Sequence, residues 1–133
     1  MSRILLVEDN AELLQVLNLY LLGQSHEVVC ASDGNLAAHY YRKGGFDILI
    51  TDVMMPNKDG LEVILEIREA NPSIQIIAMS GGGQGGSTLY LKLADSFGAH
   101  ATLAKPFSLQ ELNAVIQRVL VGLNCEKGSS IAS

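Results

Sequence analysis

Four apolar segments that each end in a polar residue constrain the fold of this chain more than any other feature. Each segment is shorter than a typical helix and has the length of a buried strand. If the segments are parallel strands of one sheet, their polar ends meet at one edge of that sheet. The segments are Ile4-Leu5-Leu6-Val7 before Glu8-Asp9, Ile48-Leu49-Ile50-Thr51 before Asp52, Ile74-Gln75-Ile76-Ile77-Ala78-Met79 before Ser80, and Ala101-Thr102-Leu103-Ala104 before Lys105.

Strand-like and helix-like segments alternate along the chain. Five strand–helix repeats with short connections predict an α/β domain, a doubly wound five-stranded parallel sheet with helices on both faces. In such sheets ligands bind beyond the carboxyl ends of the strands. The predicted strands are 3–7, 27–31, an Ile48-rich run up to residue 52, 74–79 and 101–104, and the predicted helices are 11–22, 33–44, 58–70, 87–97 and 108–122.

Side chains at the helix ends support these boundaries. Asn10 and Ser108 have the side chains of N-caps, and Glu111 completes a capping box with Ser108. Asp33 is predicted to start the second helix. Glycines that follow the periodic segments are predicted to end the helices. Pro56 and the Asp59-Gly60 pair predict a rigid turn and a tight start to the third helix.

The composition describes one globular domain. The chain has 133 residues, of which 48% are hydrophobic and 17% charged, enough for one buried core. Residues 1–122 are predicted to form this domain and 123–133 a short flexible tail.

The net charge of −5 argues against nucleic acid as a partner. No segment has the length and apolarity to span a bilayer, and Cys30 and Cys125 do not form a disulfide framework. We therefore expect a cytoplasmic monomer or weak dimer with no membrane contact.

Phosphoryl transfer requires positioning and charge neutralisation. The predicted polar edge carries chemical groups for both. Glu8, Asp9 and Asp52 could hold a hard divalent cation. Mg²⁺ fits best because it accepts a few carboxylates while keeping waters and substrate oxygens. Without a cation, the neighbouring carboxylates are expected to raise one another's pKa values. Lys105 would supply a fixed positive charge on the opposite side.

Each of these residues alone has a simpler explanation. Asp52 could cap a turn, and Glu8-Asp9 could be acids favoured at a helix N-terminus. Ser80 could be a loop residue and Lys105 a solvated surface charge. Their joint occurrence at one predicted edge favours Asp52 as a phosphoacceptor.

Two further features are predicted to be structural. The glycine-rich segment 81–86 lacks the Lys-Ser/Thr ending of a nucleotide-binding loop and follows the fourth strand rather than the first, which favours a hinge. His26, His39 and His100 show no metal-ligand spacing and are expected to be surface or partly buried structural residues.

With these residues identified, the chain resembles the receiver domains of two-component response regulators, in particular the stand-alone type that works in chemotaxis. The resemblance covers about residues 3–121. It consists of an acidic pair, an Asp-x-x-Met-Pro-x-x-Asp-Gly segment, a Ser and a Lys-Pro-Phe in the family's order. It implies the flavodoxin-like strand order 2-1-3-4-5, for which a member of this family is a known example. It also makes the Lys105–Pro106 bond a candidate cis peptide.

The resemblance implies a role for each site residue. Asp52 matches the residue that takes a phosphoryl group from the phosphohistidine of a sensor histidine kinase or phosphotransfer protein. Asp9 matches the direct Mg²⁺ ligand, and Glu8 matches the acid that acts through water. The backbone carbonyl of Met54 matches a third protein ligand. Ser80 and Lys105 match the hydroxyl and the ammonium that bind phosphoryl oxygens.

The sequence departs from the family in two places. Thr102 stands where many receivers carry an aromatic switch residue, and the loop after Ser80 is rich in glycine and somewhat longer than usual. We expect Ser80 to move toward the phosphoryl group and segment 81–86 to convert that shift into movement of helix 87–97.

The residues best placed to orient an attacking water are Met54 and Gly82, and neither has a side chain that can hydrogen-bond. A long-lived acyl phosphate is therefore expected.

Three functions compete. The first is a phosphorylation-controlled signalling module, not a turnover enzyme, that acts on a downstream protein target through helix 87–97, strand 101–104 and helix 108–121. The second is a phosphorylation-independent scaffold on the same fold, which has no need of all the site residues. The third is a flavin-binding electron carrier, which the acidic loop after the first strand disfavours. The initiating Met and short tail favour a complete small protein over a fragment of a larger regulator or hybrid kinase.

Overall fold

The computed structural model describes residues 2–55, 60–81 and 92–127, with side chains described to residue 121. Five parallel strands form one sheet in the order β2-β1-β3-β4-β5. This topology confirms the predicted doubly wound fold and the strand order that the resemblance implied. The strands are β1 (Arg3–Val7), β2 (Glu27–Ala31), β3 (Ile48–Asp52), β4 (Gln75–Ser80) and β5 (Ala101–Ala104).

Helices cover both faces of this sheet. One apolar cluster joins α1 and α5 to one face, and a second cluster joins α2 and α3 to the other. The helices are α1 (Ala11–Gly23), α2 (Gly34–Arg42), α3 (Gly60–Ala70), a described helical segment α4 (92–96) and α5 (Leu109–Lys127). Because both faces are covered, β3 and β4 are buried at every position. No helix in the described ranges is long and apolar enough to cross a membrane.

The caps predicted at Asn10 and Ser108 are present, and Asp33, predicted as the start of a helix, is its N-cap. The Asn10 and Asp33 side chains accept hydrogen bonds from the backbone N–H groups of Leu13 and Leu36, at 3.0 and 2.9 Å. At α5, the Glu111 N–H donates to Ser108 Oγ at 3.0 Å and the Ser108 N–H donates to Glu111 Oε1 at 3.2 Å. These bonds satisfy backbone donors that a helix N-terminus leaves without intrahelical partners.

Several predicted boundaries were wrong by a few residues. Gly23 is the last residue of α1 rather than its stop, and the chain reverses at Ser25, which has a φ of 70°. Ser80 is the last residue of β4 rather than the residue after it. Helix α5 continues past Gly122 to Lys127, because glycine ends a helix only where the chain leaves helical geometry. The remainder of the predicted tail, 128–133, lies outside the described residues.

Other predictions fall partly outside the described ranges. Residues 58 and 59 of the third predicted helix and most of the helix predicted over 87–97 are not described, and neither are Pro56 and residues 82–86 of the predicted hinge. The described end of α4 is consistent with the predicted stop, since Gly98 has a φ of 113°. The Lys105–Pro106 peptide bond is cis.

The sheet register brings the polar strand ends to one edge. Asp52 of β3 pairs with Met79 of β4, and Ser80 of β4 pairs with Ala104 of β5. Val7 at the end of β1 pairs with Thr51, the residue before Asp52. Parallel pairing therefore places the residues that follow β1 and β5 on either side of the end of β3.

Candidate functional site

Three carboxylates lie together at the carboxyl edge of the sheet. Oxygens of Glu8, Asp9 and Asp52 all lie within 4.8 Å of one another. Glu8 and Asp52 are only 1% and 4% exposed, whereas Asp9 is exposed to solvent. The cluster is therefore a shallow acidic site with one open side.

Lys105 lies between two of these carboxylates. Its Nζ donates to Glu8 Oε1 at 2.6 Å and to Asp52 Oδ2 at 2.8 Å. Burial by itself lowers the pKa of the Lys105 ammonium, but the hydrogen bonds to Asp52 and Glu8 and the charges of both carboxylates outweigh it, so the pKa is raised. Lys105 is therefore a counter-ion that is shared between Glu8 and Asp52, rather than a charge on the side opposite the acidic pair.

Glu8 is an acid whose pKa is raised above its usual range. Burial is the largest cause, and the nearby negative charge of Asp52 adds to it. The hydrogen bonds from Lys105 and from the Asn10 N–H, the latter at 3.0 Å, act in the opposite direction. The predicted upward shift is thus present at Glu8, with removal from water as its main source.

Backbone contacts fix the Asp52 carboxylate. The Met54 N–H donates to Asp52 Oδ1 at 3.0 Å, while Met54 as a residue is 44% exposed. The Thr51 hydroxyl donates to the Asp52 carbonyl at 2.9 Å. One carboxylate oxygen of Asp52 is thus bound by the backbone and the other by Lys105.

Gly60 lets helix α3 begin directly against the end of β3. A β-carbon at Gly60 would lie 2.0 Å from the Asp52 carbonyl oxygen and 2.6 Å from the Val53 Cα. The Gly60 N–H also donates to the Val53 carbonyl at 3.2 Å. Since both obstacles are backbone atoms, only glycine fits without moving the segment that carries Asp52.

Ser80 is a fully buried residue at the end of β4. Its Oγ has a long contact of 3.5 Å to the Gly81 carbonyl. Its own carbonyl accepts a hydrogen bond from the Lys105 N–H at 2.8 Å. The hydroxyl and the ammonium predicted to bind phosphoryl oxygens are therefore on two strand ends that are bonded to each other.

Two contributions to this site were absent from the sequence interpretation. The Met54 N–H binds Asp52, whereas the resemblance implied a metal-binding role for the Met54 carbonyl. Gly81 packs against the Lys105 side chain, although the sequence placed it in a general hinge. Its position immediately after Ser80 was the available signal, because parallel pairing sets that residue beside Lys105.

The donor set fits Mg²⁺. Carboxylate oxygens are the ligands that this cation prefers, together with waters. Three carboxylates and one ammonium leave a formal charge of −2, since three negative charges exceed one positive charge by two. A divalent cation would balance that charge, and the exposed Asp9 leaves a path for it.

The fold and the site together define an α/β domain with an acidic site, open on one side, at the carboxyl ends of its parallel strands. Residues 4–117 of the chain match the response regulator receiver domain family. The chain therefore belongs to the receiver domain family of two-component response regulators, a family of signalling modules in which an aspartate accepts a phosphoryl group.

Proteins similar in sequence agree with this family assignment. The chain is 35% identical over 120 residues to the transcriptional regulatory protein RprY of Bacteroides fragilis, an alignment that covers 89% of this chain and 49% of that protein. It is 35% identical over 119 residues to the DNA-binding transcriptional regulator NtrC of Azospirillum brasilense, covering 90% of this chain and 24% of that protein. The chain thus spans half or less of the length of these relatives.

Solved structures share the fold over nearly their full length. A response regulator receiver domain protein from Clostridium thermocellum superposes with a TM-score of 0.84 at 27% identity, covering 96% of this chain and 98% of that one. The response regulator TrrA of Thermotoga maritima, solved in complex with Mg²⁺-BeF, gives a TM-score of 0.75 at 29% identity, covering 89% of this chain and 98% of that one.

Proposed function

We propose that this domain accepts a phosphoryl group on Asp52 from the phosphohistidine of a sensor histidine kinase or phosphotransfer protein, in a Mg²⁺-dependent reaction. One observation carries the proposal. A buried Asp52 carboxylate lies in a three-acid cluster and receives a 2.8 Å hydrogen bond from the Lys105 ammonium. A carboxylate that served only to cap a turn would not need that surrounding.

The cation would be held by Asp9 directly, by Glu8 through water, by the Asp52 carboxylate and by the Met54 carbonyl. When bound, Mg²⁺ would offset the repulsion between the anionic nucleophile and the incoming phosphoryl group. The 4.8 Å grouping of the carboxylate oxygens supports this ligand set.

In the transfer, an Asp52 carboxylate oxygen attacks phosphorus and the P–N bond to the donor histidine breaks. The electron pair of that bond goes to the imidazole nitrogen. The donor histidine leaves as neutral imidazole, with its proton either taken up at this nitrogen or already carried by the other ring nitrogen. The Lys105 ammonium would move from the Asp52 carboxylate to pair with one phosphoryl oxygen. The Ser80 hydroxyl would donate a hydrogen bond to a second phosphoryl oxygen. The short distances from Lys105 to Asp52 and from the Lys105 N–H to the Ser80 carbonyl support this division of roles.

The signal would leave through helix 87–97, strand 101–104 and helix 108–121. Thr102 is half-buried and has no ring to swing, so an aromatic switch is excluded at that position. Movement of Ser80 relayed through segment 81–86 would reposition the following helix instead. Amide exchange across 81–97, with and without a phosphoryl mimic, tests this route, and unchanged protection would end it.

As a partner-dependent module, the domain would act on a downstream protein target in the cytoplasm, as a monomer or weak dimer that does not turn over an external substrate. We place the receiver unit at residues 1–122 and regard 123–133 as a C-terminal extension whose first residues continue α5. A scaffold that never uses Asp52 is the alternative, and the ion pairs of Lys105 with Glu8 and Asp52 weigh against it.

Intact-mass measurement tests the central proposal. The protein is incubated with Mg²⁺ and a small-molecule phosphodonor, and the mass of one added phosphoryl group is expected. Asp52→Asn should remain unmodified, whereas Asp95→Asn, a change at an exposed aspartate of α4, should behave as wild type. Modification of Asp52→Asn to the same extent would reject Asp52 as the acceptor.

A further inference from the structure

Arg68 connects helix α3 to the chain that follows α4. Its guanidinium donates to the Gly98 carbonyl at 2.8 Å and to the Pro72 carbonyl. Gly98 comes two residues after the described end of α4 and has a φ of 113°, and a β-carbon there would lie 3.1 Å from Arg68 Nε. One half-buried arginine therefore binds both the turn that follows α3 and the turn that follows α4.

His100 extends this connection to strand β4. Its Nδ1 accepts a hydrogen bond from the Ile76 N–H at 3.0 Å and lies 3.2 Å from a guanidinium nitrogen of Arg68. The His100 N–H donates in turn to the Ile76 carbonyl at 2.7 Å. Because a guanidinium and a backbone N–H can only donate, these contacts assign Nδ1 as the unprotonated ring nitrogen. The imidazole thus accepts from α3 and from β4, one residue before β4 and β5 begin to pair at Ile77 and Ala101.

The end of α4 is held by its own backbone as well. The N–H groups of Phe97, Gly98 and Ala99 donate to carbonyls of α4 at 2.9–3.1 Å. Ala94 and Ala99 are buried in the apolar cluster that includes α3. Each amide from 97 to 100 therefore has a backbone acceptor, so its hydrogen exchange reports whether this end of the helix opens.

We propose that Arg68 anchors the C-terminal end of α4 to α3, so that this end stays in place when the rest of the helix responds to phosphorylation of Asp52. The inference rests on the proposed function, in which a shift of Ser80 reaches helix 87–97 through segment 81–86. It adds the fixed point against which that shift would act. The acidic site lies at the carboxyl ends of the strands, whereas Arg68 acts near the amino ends of β4 and β5.

Hydrogen exchange followed by NMR tests the anchor in the wild-type protein first. Rates are measured with and without Mg²⁺ and beryllofluoride, a mimic of the phosphoryl group. We expect the amides from 97 to 100 to change less than those from 81 to 92. A change at 97–100 that equals or exceeds the change at 81–92 would overturn the proposal.

Three variants then test the role of Arg68 itself. Arg68→Met keeps an unbranched apolar side chain and removes every donor, and Arg68→Lys keeps the charge with a single donor group. Arg42→Met is the matched control, because Arg42 is an exposed arginine at the end of α2. Without the mimic, Arg68→Met should exchange at 97–100 faster than wild type by roughly tenfold or more, the effect of losing a hydrogen bond from a charged donor.

A merely structural role would give a different pattern. General destabilisation would speed exchange of the amides of β3 by the same factor as those from 97 to 100, whereas loss of an anchor speeds the latter more. On addition of the mimic, Arg68→Met should also change at 97–100 by a larger factor than wild type does. If Arg68→Met does not fold, Arg68→Lys should show the same local acceleration to a smaller extent, and wild-type rates in Arg68→Lys would then overturn the proposal.

Intact-mass measurement separates this inference from the proposed function. Arg68→Met should take up a phosphoryl group from a small phosphodonor as wild type does, because the two sites are at opposite ends of the strands. If wild type takes up none, the proposed function fails, while faster exchange at 97–100 in Arg68→Met still supports the anchor. If wild type is phosphorylated and Arg68→Met exchanges at 97–100 as wild type does, the function stands and the anchor is rejected.

Discussion

Replacement of Lys105 by methionine should destabilise the domain strongly without Mg²⁺ and much less with it. The change keeps most of the apolar side chain but removes the charge that lies 2.6 Å from Glu8 and 2.8 Å from Asp52. Breaking a buried ion pair from one side costs about 3–5 kcal/mol. Since the Lys105 side chain is 20% exposed, we expect the lower end, about 3 kcal/mol.

Mg²⁺ should recover much of this loss. In the variant, three carboxylates would have no ammonium among them, so a divalent cation would bind more tightly than in wild type. At a concentration of about 100 times its Kd, a ligand stabilises the folded state by roughly 2.7 kcal/mol. The free energy of unfolding of the variant should therefore rise more on addition of Mg²⁺ than that of wild type.

Urea denaturation with and without Mg²⁺ measures both effects. With an m-value of roughly 1–3 kcal/mol/M, the midpoint of the metal-free variant should fall by at least about 1 M. Lys92→Met, at an exposed lysine of α4, is the control and should change stability by less than about 0.5 kcal/mol. A metal-free loss below about 1 kcal/mol, or equal Mg²⁺ stabilisation of variant and wild type, would refute the electrostatic reasoning.

Three other predictions come from different parts of the structure. Gly60→Ala should cost about 3 kcal/mol or more in thermal denaturation, because its β-carbon would meet the Asp52 carbonyl at 2.0 Å, whereas Gly23→Ala should be nearly neutral; equal effects would contradict the close approach. Burial lowers the pKa of His26 from 6.5, so the stability it contributes is present above about pH 6.5 and lost as the pH falls through the lowered value. His26→Phe should flatten the dependence of unfolding free energy on pH between about 7 and 5, and an unchanged slope would exclude His26 as its source. Met54→Asn should release phosphate faster than wild type, because an amide can orient water at this exposed position; slower release would reject that prediction.

Local sequence signals were sufficient for most of the fold. The caps at Asn10, Asp33 and Ser108 were predictable because each bond joins residues three positions apart. One boundary that was wrong depends on a partner distant in sequence. Ser80 belongs to β4 because it pairs with Ala104 across the sheet, and no residue near Ser80 carries that information.

The sequence was sufficient to predict which residues meet at the candidate site, but less so to predict the contacts between them. Strand ends that carry Glu8, Asp9, Asp52 and Lys105 had to meet once the sheet was parallel, and the structure brings those side chains together. The sequence did not indicate that the ammonium would bridge Glu8 and Asp52. That contact depends on side-chain paths across neighbouring strands, which have no periodicity along the chain.

The sequence by itself determined the alternation of strands and helices and the chemical groups at the strand ends, because apolar period and residue type are local properties. Only the tertiary structure decided how those groups share charge. The counter-ion role of Lys105 and its contact with Gly81 result from the close packing of segments that lie far apart in the chain.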